Sequence, residues 1–203
     1  MTKRSEGGVF LESKVSAVLL ASGLSHRMGE DKLLLVYQGK TLLQRAVDLV
    51  SLLPVYEKIL LTTTKCAESL MLPPDFRVVV NAQPEVGQSE SIRLGVAAAT
   101  GDWYFFMPAD QPRLTVDDLL PILHGAEQNN GKIIYPVING HPSSPSLFSS
   151  FFRDELLGLS GDLGGRVVRA GHPDACVEIK PKCPGNFVDI DNREEYMLLE
   201  CRM

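Results

Sequence analysis

The run VSAVLL at residues 15–20, followed without pause by ASGLSHRMGEDK at residues 21–32, decides the fold. Six residues that are apolar but for Ser16 read as a strand buried on both faces, the habit of parallel sheets. Ligands of such sheets bind beyond the carboxyl ends of the strands. The chain leaves this strand, across Leu19–Lys32, through two glycines, two serines, an arginine and a lysine. A surface turn needs one glycine at most. A loop that holds something large and anionic needs all of these.

Outward from that stretch, short β-rich runs alternate with segments of helical period. TLLQRAVDLVSLL (residues 41–53) has apolar residues at helical spacing behind Thr41 as a cap. KILLTTT (58–64) is the next strand, KCAESLML (65–72) a short helix, and FRVVV (76–80) a third strand. SESIRLGVAAA (89–99) is a helix behind a glycine-containing loop, and WYFFM (103–107) a wholly apolar strand. TVDDLLPIL opens a helix in which Thr115 and Asp118 form a capping box. KIIYPVI (132–138), a proline-rich loop and a helix near 151–157 follow; then come the runs VEIK and FVDI and a final helix from Asn192. Apolar strands alternating with helices predict α/β: a single three-layer α/β/α domain on a mostly parallel sheet.

The 203 residues suit one domain, expected over residues 15–203, with residues 1–14 as a flexible N-terminal tail. That tail, MTKRSEGGVFLESK, has charge at its start but no apolar core, so it reads as neither signal peptide nor anchor. A net charge of −5 argues against nucleic acid as a partner, and any anionic ligand then needs a local pocket of positive potential. No apolar run reaches the roughly 18 residues of a membrane helix, so no membrane partner is expected. Cys66, Cys176, Cys183 and Cys201 form no CxxC pair, which fits a reducing, cytoplasmic setting.

Two stretches carry chemistry by themselves. The small residues Ala21, Ser22 and Gly23 let the backbone approach a ligand and aim N–H groups at it. Arg27 and Lys32 add a planar fork and a compact ammonium, both suited to phosphate oxygens. The stretch is neither a Walker A loop nor a G-x-G-x-x-G turn, and a long solvated surface loop has the same composition. In WYFFMPADQP, Asp110 follows the end of an apolar strand, where a carboxylate meets the rim of the sheet. Mg²⁺ prefers one or two carboxylates plus waters and substrate phosphates, so a lone Asp there suffices for a Mg-nucleotide site. A turn between Pro108 and Pro112 explains the same residue without a metal.

Together LLASGLSHRMGEDKLLL, GQSESIRLGV, MPADQP, GHP (residues 140–142) and FVDIDNREEY make the chain similar to the molybdenum cofactor cytidylyltransferases. These are molybdopterin nucleotidyltransferases with a Rossmann-like, glycosyltransferase-A-type fold, and the resemblance spans residues 15–196. It implies that the backbone of Leu20, Ala21, Ser22 and Gly23 holds base and ribose, with Arg27 and Lys32 on the triphosphate. Asp110 would hold Mg²⁺ against the phosphates, joined by Asp189, while Asp191 reads as a helix cap with Glu194 three residues on. Asn81, Gly87, Ser89 and Ser91 correspond to the base-side segment, although Ser89 serves equally well as a helix cap. His141 falls in the loop that faces the pterin, and a surface His before a turn-forming proline looks the same. GDLGGR (161–166) resembles the family's G-D-x-G-A-R and implies Arg166 on the substrate's phosphate; an ordinary glycine-rich loop entering a helix also fits.

The implied reaction transfers CMP from CTP to the phosphate of molybdopterin and releases pyrophosphate. A phosphate nucleophile is already ionised at pH 7, which accounts for the lack of a nucleophile–base pair. The guanylyl branch reads L-A-G-G at the first loop and the cytidylyl branch L-A-A-G; Ser22 is nearer Ala in volume and favours CTP. Two alternatives stand beside it. One is a nucleotidyltransferase using GTP or another phosphorylated acceptor. The other is a non-catalytic carrier of the molybdenum cofactor for a molybdenum hydroxylase apoenzyme.

Overall fold

The structure, a computed structural model, describes residues 11–23 and 31–200. The first strand, β1 (Val15–Ala21), is followed by a small hairpin of β2 (Val36–Tyr37) and β3 (Lys40–Thr41). Then come α1 (Leu42–Ser51), β4 (Glu57–Thr62), α2 (Thr64–Glu68), β5 (Phe76–Val80), α3 (Gln88–Ala98) and β6 (Trp103–Pro108). The second half contains α4 (Val116–Gln128), β7 (Ile133–Ile138), β8 (His141–Pro142), β9 (Ser146–Ser149) and α5 (Arg153–Leu157). It closes with α6 (Gly165–Gly171), β10 (Cys176–Ile179) and α7 (Arg193–Glu200).

The main sheet runs β10-β7-β9-β6-β1-β4-β5, with β8 paired to β7. β1 lies parallel to both β4 and β6, β4 to β5, and β10 to β7; β9 runs antiparallel between β6 and β7, and β8 antiparallel to β7. The three-layer, mostly parallel α/β arrangement expected from the alternation of elements is what forms. On β1, Ala17 and Leu19 face a core made by Leu43 and Val47 of α1 and by Leu119, Ile122 and Leu123 of α4. Val18 faces the other layer, with Ile92 and Val96 of α3, Leu156 of α5 and Val168 of α6. Each such fully buried aliphatic side chain contributes about 1.5–3 kcal/mol, so β1 is clamped from both sides.

Local chemistry explains the boundaries. Thr41 caps α1 by accepting from Gln44 N at 3.1 Å, and Thr115 and Asp118 form the reciprocal capping box at α4. The Gly-His-Pro loop is part of a hairpin: Asn139 and Gly140 both sit at positive φ (51° and 81°), and His141-Pro142 pairs back onto β7. Asn-Gly is the pair that tolerates such a turn best. SLFS, a four-residue strand bounded by serines inside the proline-rich stretch, has no readable alternation, so β9 is a strand that the sequence pattern does not announce. FVDI is the converse case. It forms no strand but crosses the sheet's end, with Ile190 N donating to Asp110 O at 3.0 Å.

Cys66 is buried, Cys176 half-buried and Cys183 exposed, all as thiols; Cys201 lies outside the described residues. Among the described residues no helix is long and apolar enough to cross a membrane.

Candidate functional site

β1 and β6 run side by side to the carboxyl rim, with Leu20 opposite Pro108. Both chains turn away there, and Ala109 N bonds back to Leu20 O at 3.1 Å, which fixes Asp110 just outside the sheet. Lys32 reaches the same point from a 3-10 turn, Lys32–Leu34, capped by the Asp31 side chain. Its ammonium donates to Asp110 Oδ2 at 2.5 Å and to Asp191 Oδ1 at 3.1 Å. The Lys32 and Asp110 side chains are each 16% exposed, so this is a sheltered pair. Burial alone would lower the Lys32 pKa, but Asp110 and Asp191 outweigh it and hold the ammonium above its ordinary value.

Asp110 Oδ1 is buried and, among the described residues, has no hydrogen-bond partner. Asp189 opens onto the same region. Crowding by surrounding protein, then the charges of Asp110 and Asp191, push its carboxyl up to about 6 against the pull of Gln111 and Lys32. Asp191 is not the cap of α7. Asn192 and Glu195 form that box reciprocally, Glu195 N to Asn192 Oδ1 at 2.9 Å and Asn192 N to Glu195 Oε2 at 3.2 Å. Asp191 therefore turns its carboxylate to Lys32.

A second group lies under the first loop. Ser22 Oγ and Ser91 Oγ are 2.7 Å apart, and Asn81 Nδ2 lies 3.4 Å from each. All three side chains are buried, and Asn81 also accepts from Gln83 N at 2.9 Å. Ser89 is fully buried and points elsewhere, its hydroxyl donating to Gly161 O at 2.5 Å. It does not cap α3, which starts from Gly87 with Gln88 N near Asp162 Oδ1 at 3.4 Å.

Two cavities open at this rim. One, of about 530 Å³, is lined by Leu20, Ser22 and Gly23, by Lys32, by the 3-10 turn Pro84–Val86, and by Gly87, Ser91, Asp110 and Asp162. The other, of about 380 Å³, is lined by Pro142, Ser143 and Ser144, by Arg166 and Arg169 of α6, and by Asp110, Asp189 and Asp191. Volumes of this order suit small-molecule ligands. Of the residues singled out in the sequence, Leu20, Ser22, Gly23, Lys32, Gly87, Ser91, Asp110, Asp189 and Arg166 meet here. Asn81 stands behind the wall, and Ala21 and Ser89 line neither cavity. His141 is exposed on β8 and outside both linings, its place taken by the three residues after it. Arg27 lies outside the described residues.

Sequence reasoning misses Arg169, Asp162 and Gln88 as cavity residues. Arg169 is findable, because three residues after Arg166 on a helix is the same face. Asp162 and Gln88 are not, since each owes its place to contact between α3 and the 161–164 loop.

A divalent cation fits this rim. The unpartnered Asp110 Oδ1 is a ready ligand atom, and Asp110 and Asp191 lie close enough to Asp189 to raise its cost of ionising. Among the described residues no three acidic, His or Cys side chains could cage a metal alone. A cation held there would take most of its ligands from water and phosphate.

The model of the MobA-like NTP transferase domain matches residues 17–176, which include the first loop, Asp110 and Arg166. The chain belongs to the MobA-like NTP transferase family. A probable molybdenum cofactor guanylyltransferase from Rhodopirellula baltica is 32% identical to this chain over 123 residues. The match covers 58% of each chain, so it spans less than two thirds of that protein's length. The purine catabolism protein PucB of Bacillus subtilis is 31% identical over 202 residues, 92% of this chain and 96% of its own. Among solved structures, a nucleotidyl transferase from Methanothermobacter thermautotroptrophicus superposes with a TM-score of 0.77 at 24% identity, over 92% of this chain and 95% of that one.

Proposed function

We propose that this chain transfers CMP from CTP to the phosphate of molybdopterin, releasing pyrophosphate and forming the cytosine dinucleotide cofactor. The observation that carries the reading is the placement of the unpartnered Asp110 carboxylate oxygen where a serine- and glycine-lined cavity meets one walled by Arg166 and Arg169. The first cavity takes the nucleotide against the Leu20–Gly23 backbone; the second offers two guanidinium forks to a phosphorylated acceptor. An oxygen of the acceptor phosphate attacks the α-phosphorus, and the bond to the bridging oxygen breaks with its electron pair leaving on pyrophosphate. Lys32 keeps the carboxylates in place and offers positive charge beside them. Asp110 and Asp189 would hold Mg²⁺, which supplies charge neutralisation on the phosphates. No general base is needed, and positioning with charge stabilisation does the work.

The choice of CTP is supported by Ser22. Its hydroxyl is engaged with Ser91 and Asn81, so the side chain presents filled volume to the base instead of a glycine's gap, which favours the smaller pyrimidine. The name of the Rhodopirellula relative favours GTP instead. The test is pyrophosphate release with Mg²⁺, molybdenum-loaded molybdopterin and each of CTP, GTP, ATP and UTP. Release with CTP alone is expected. Preference for GTP overturns the base choice, and no release with any nucleotide overturns the molybdopterin acceptor.

A further inference from the structure

The two cavities share Leu20, Gln88, Pro108 and Asp110. In a transfer between two substrates the electrophilic α-phosphorus has to lie where the cavities meet, since one supplies the phosphorus and the other the incoming oxygen. Two of the four shared residues are apolar. Asp110 is an anion, which repels phosphate unless a cation intervenes. Gln88 is the neutral polar group at the junction. Among the described residues its side-chain amide has no hydrogen-bond partner, so a ligand can take the N–H without displacing one.

The backbone that carries the amide is held. Gln88 is the first residue of α3; its backbone N–H lies near Asp162 Oδ1, and the next residue is tied to Gly161 O through both its N–H and its hydroxyl. Beneath it lies Gly164. A Cβ there would stand 2.2 Å from Gln88 Oε1 and 2.8 Å from Cδ, so any larger residue at 164 has to displace the amide from the position it takes here.

We infer that Gln88 is a catalytic side chain of nucleotidyl transfer: its amide N–H bonds a non-bridging oxygen of the α-phosphate, and Gly164 is the positioning residue that makes room for it. The inference rests on transfer across these two cavities, as in the function proposed above, and not on which base or acceptor is used. Negative charge grows on the non-bridging oxygens as the new P–O bond forms and the bond to the leaving pyrophosphate breaks. Gln88 donates a hydrogen bond to that charge and gives up no proton.

The test uses the full chain as wild type, Gln88→Ala, Gln88→Glu, Gly164→Ala and the double variant with Ala at both positions. Calorimetry reads the affinity for an α,β-methylene nucleoside triphosphate with Mg²⁺ and no acceptor; kcat is measured with whichever nucleotide and acceptor the wild type uses. Gln88→Ala is expected to weaken analogue binding about tenfold and to lower kcat on the order of 10²-fold. Gln88→Glu, which sets a carboxylate against the phosphate, binds more weakly still. Gly164→Ala reproduces much of the Gln88→Ala loss and adds nothing in the Gln88→Ala background, where a purely structural glycine would still exact its cost. Wild-type affinity in Gln88→Glu, or independent multiplying losses at the two positions, overturns the inference. A wild type that uses another base or acceptor corrects the proposed function and leaves this comparison standing. A wild type that binds the analogue but turns over no pair sinks the transferase reading, and the affinity arm still decides Gln88.

Discussion

The two ends of the central strands solve opposite problems. At the amino end, Glu57 at the start of β4 accepts from Ser16 Oγ at 2.6 Å, Thr100 N at 2.6 Å and Thr100 Oγ1 at 3.0 Å, while Gly101 N donates to Ser16 Oγ at 2.9 Å. Ser16 is fully buried in this knot, where its hydroxyl both donates to Glu57 and accepts from Gly101 N. At the carboxyl end, two neighbouring side chains, Asp110 and Gln111, each leave a buried oxygen without a partner among the described residues. A buried polar group with partners stabilises, and one without costs on the order of 1–3 kcal/mol. The amino end therefore serves the fold, and the carboxyl end keeps acceptor atoms open to a ligand or to water.

The sharpest break of that comparison is Asp110→Ala. Losing the carboxylate should lower turnover about 10³-fold or more, because the cation loses its anchor. The melting temperature should stay within a few degrees of wild type, since Lys32 keeps Asp191. Pyrophosphate release and thermal unfolding on one preparation check both halves, and full turnover in the Asp110→Ala enzyme would remove Asp110 from the chemistry.

Lys32→Met comes next, with turnover falling on the order of 10²-fold. It also strips the cation from Asp110, Asp189 and Asp191, so its melting temperature should fall further below wild type at pH 8 than at pH 5, where carboxylates begin to protonate. Equal deficits at both pH values would mean that Lys32 does not serve to hold the acidic group. At the opposite end Glu57→Ala should reverse the pattern. Turnover is unchanged, while the orphaned Ser16 and Thr100 groups lower the melting temperature on the order of 5 °C.

The sequence makes one end far more legible than the other. The apolar run before Ser22, the WYFFM strand and the Thr115–Asp118 box announce the sheet, its parallel sense and the rim where Asp110 sits. Lys32 and Asp110 are visible as a cation and an anion beyond two apolar strands, but nothing in the spacing says that they pair, 78 positions apart. Ser89 looks like a cap because a serine opening a helix commonly is one; the 161–162 loop claims its hydroxyl instead. Spacing alone offers Asp191 with Glu194 as the box of the last helix, and a shift of one residue moves that box to Asn192 and Glu195. Gln88 and Asp162 owe their roles to a contact between segments 74 residues apart, and local pattern carries no trace of such a contact.

The smallest effect is a matter of sign, and it separates the two ends most cleanly. Burial alone would raise the Glu57 carboxyl, but the hydrogen bonds from Ser16 and Thr100 outweigh it and hold it below the usual glutamate range. A depressed folded pKa contributes stability that is present above the unfolded value near 4.5 and lost as pH falls through the folded one. Asp189 is exposed at the rim, yet surrounding protein and the charges of Asp110 and Asp191 raise it to about 6, so its ionisation subtracts a little stability that solvent screening keeps small. That loss begins above the unfolded value near 3.8 and is complete once pH has passed 6. In EDTA, Asp189→Asn should thus melt above wild type at pH 7.5, with the gap closing as pH falls through 6 towards 4. Glu57→Gln should melt below wild type at pH 7.5 and converge with it only at more acidic pH. The same gap at every pH for Asp189→Asn would mean that its carboxyl is not raised, and the carboxyl rim would then be no costlier to ionise than the amino one.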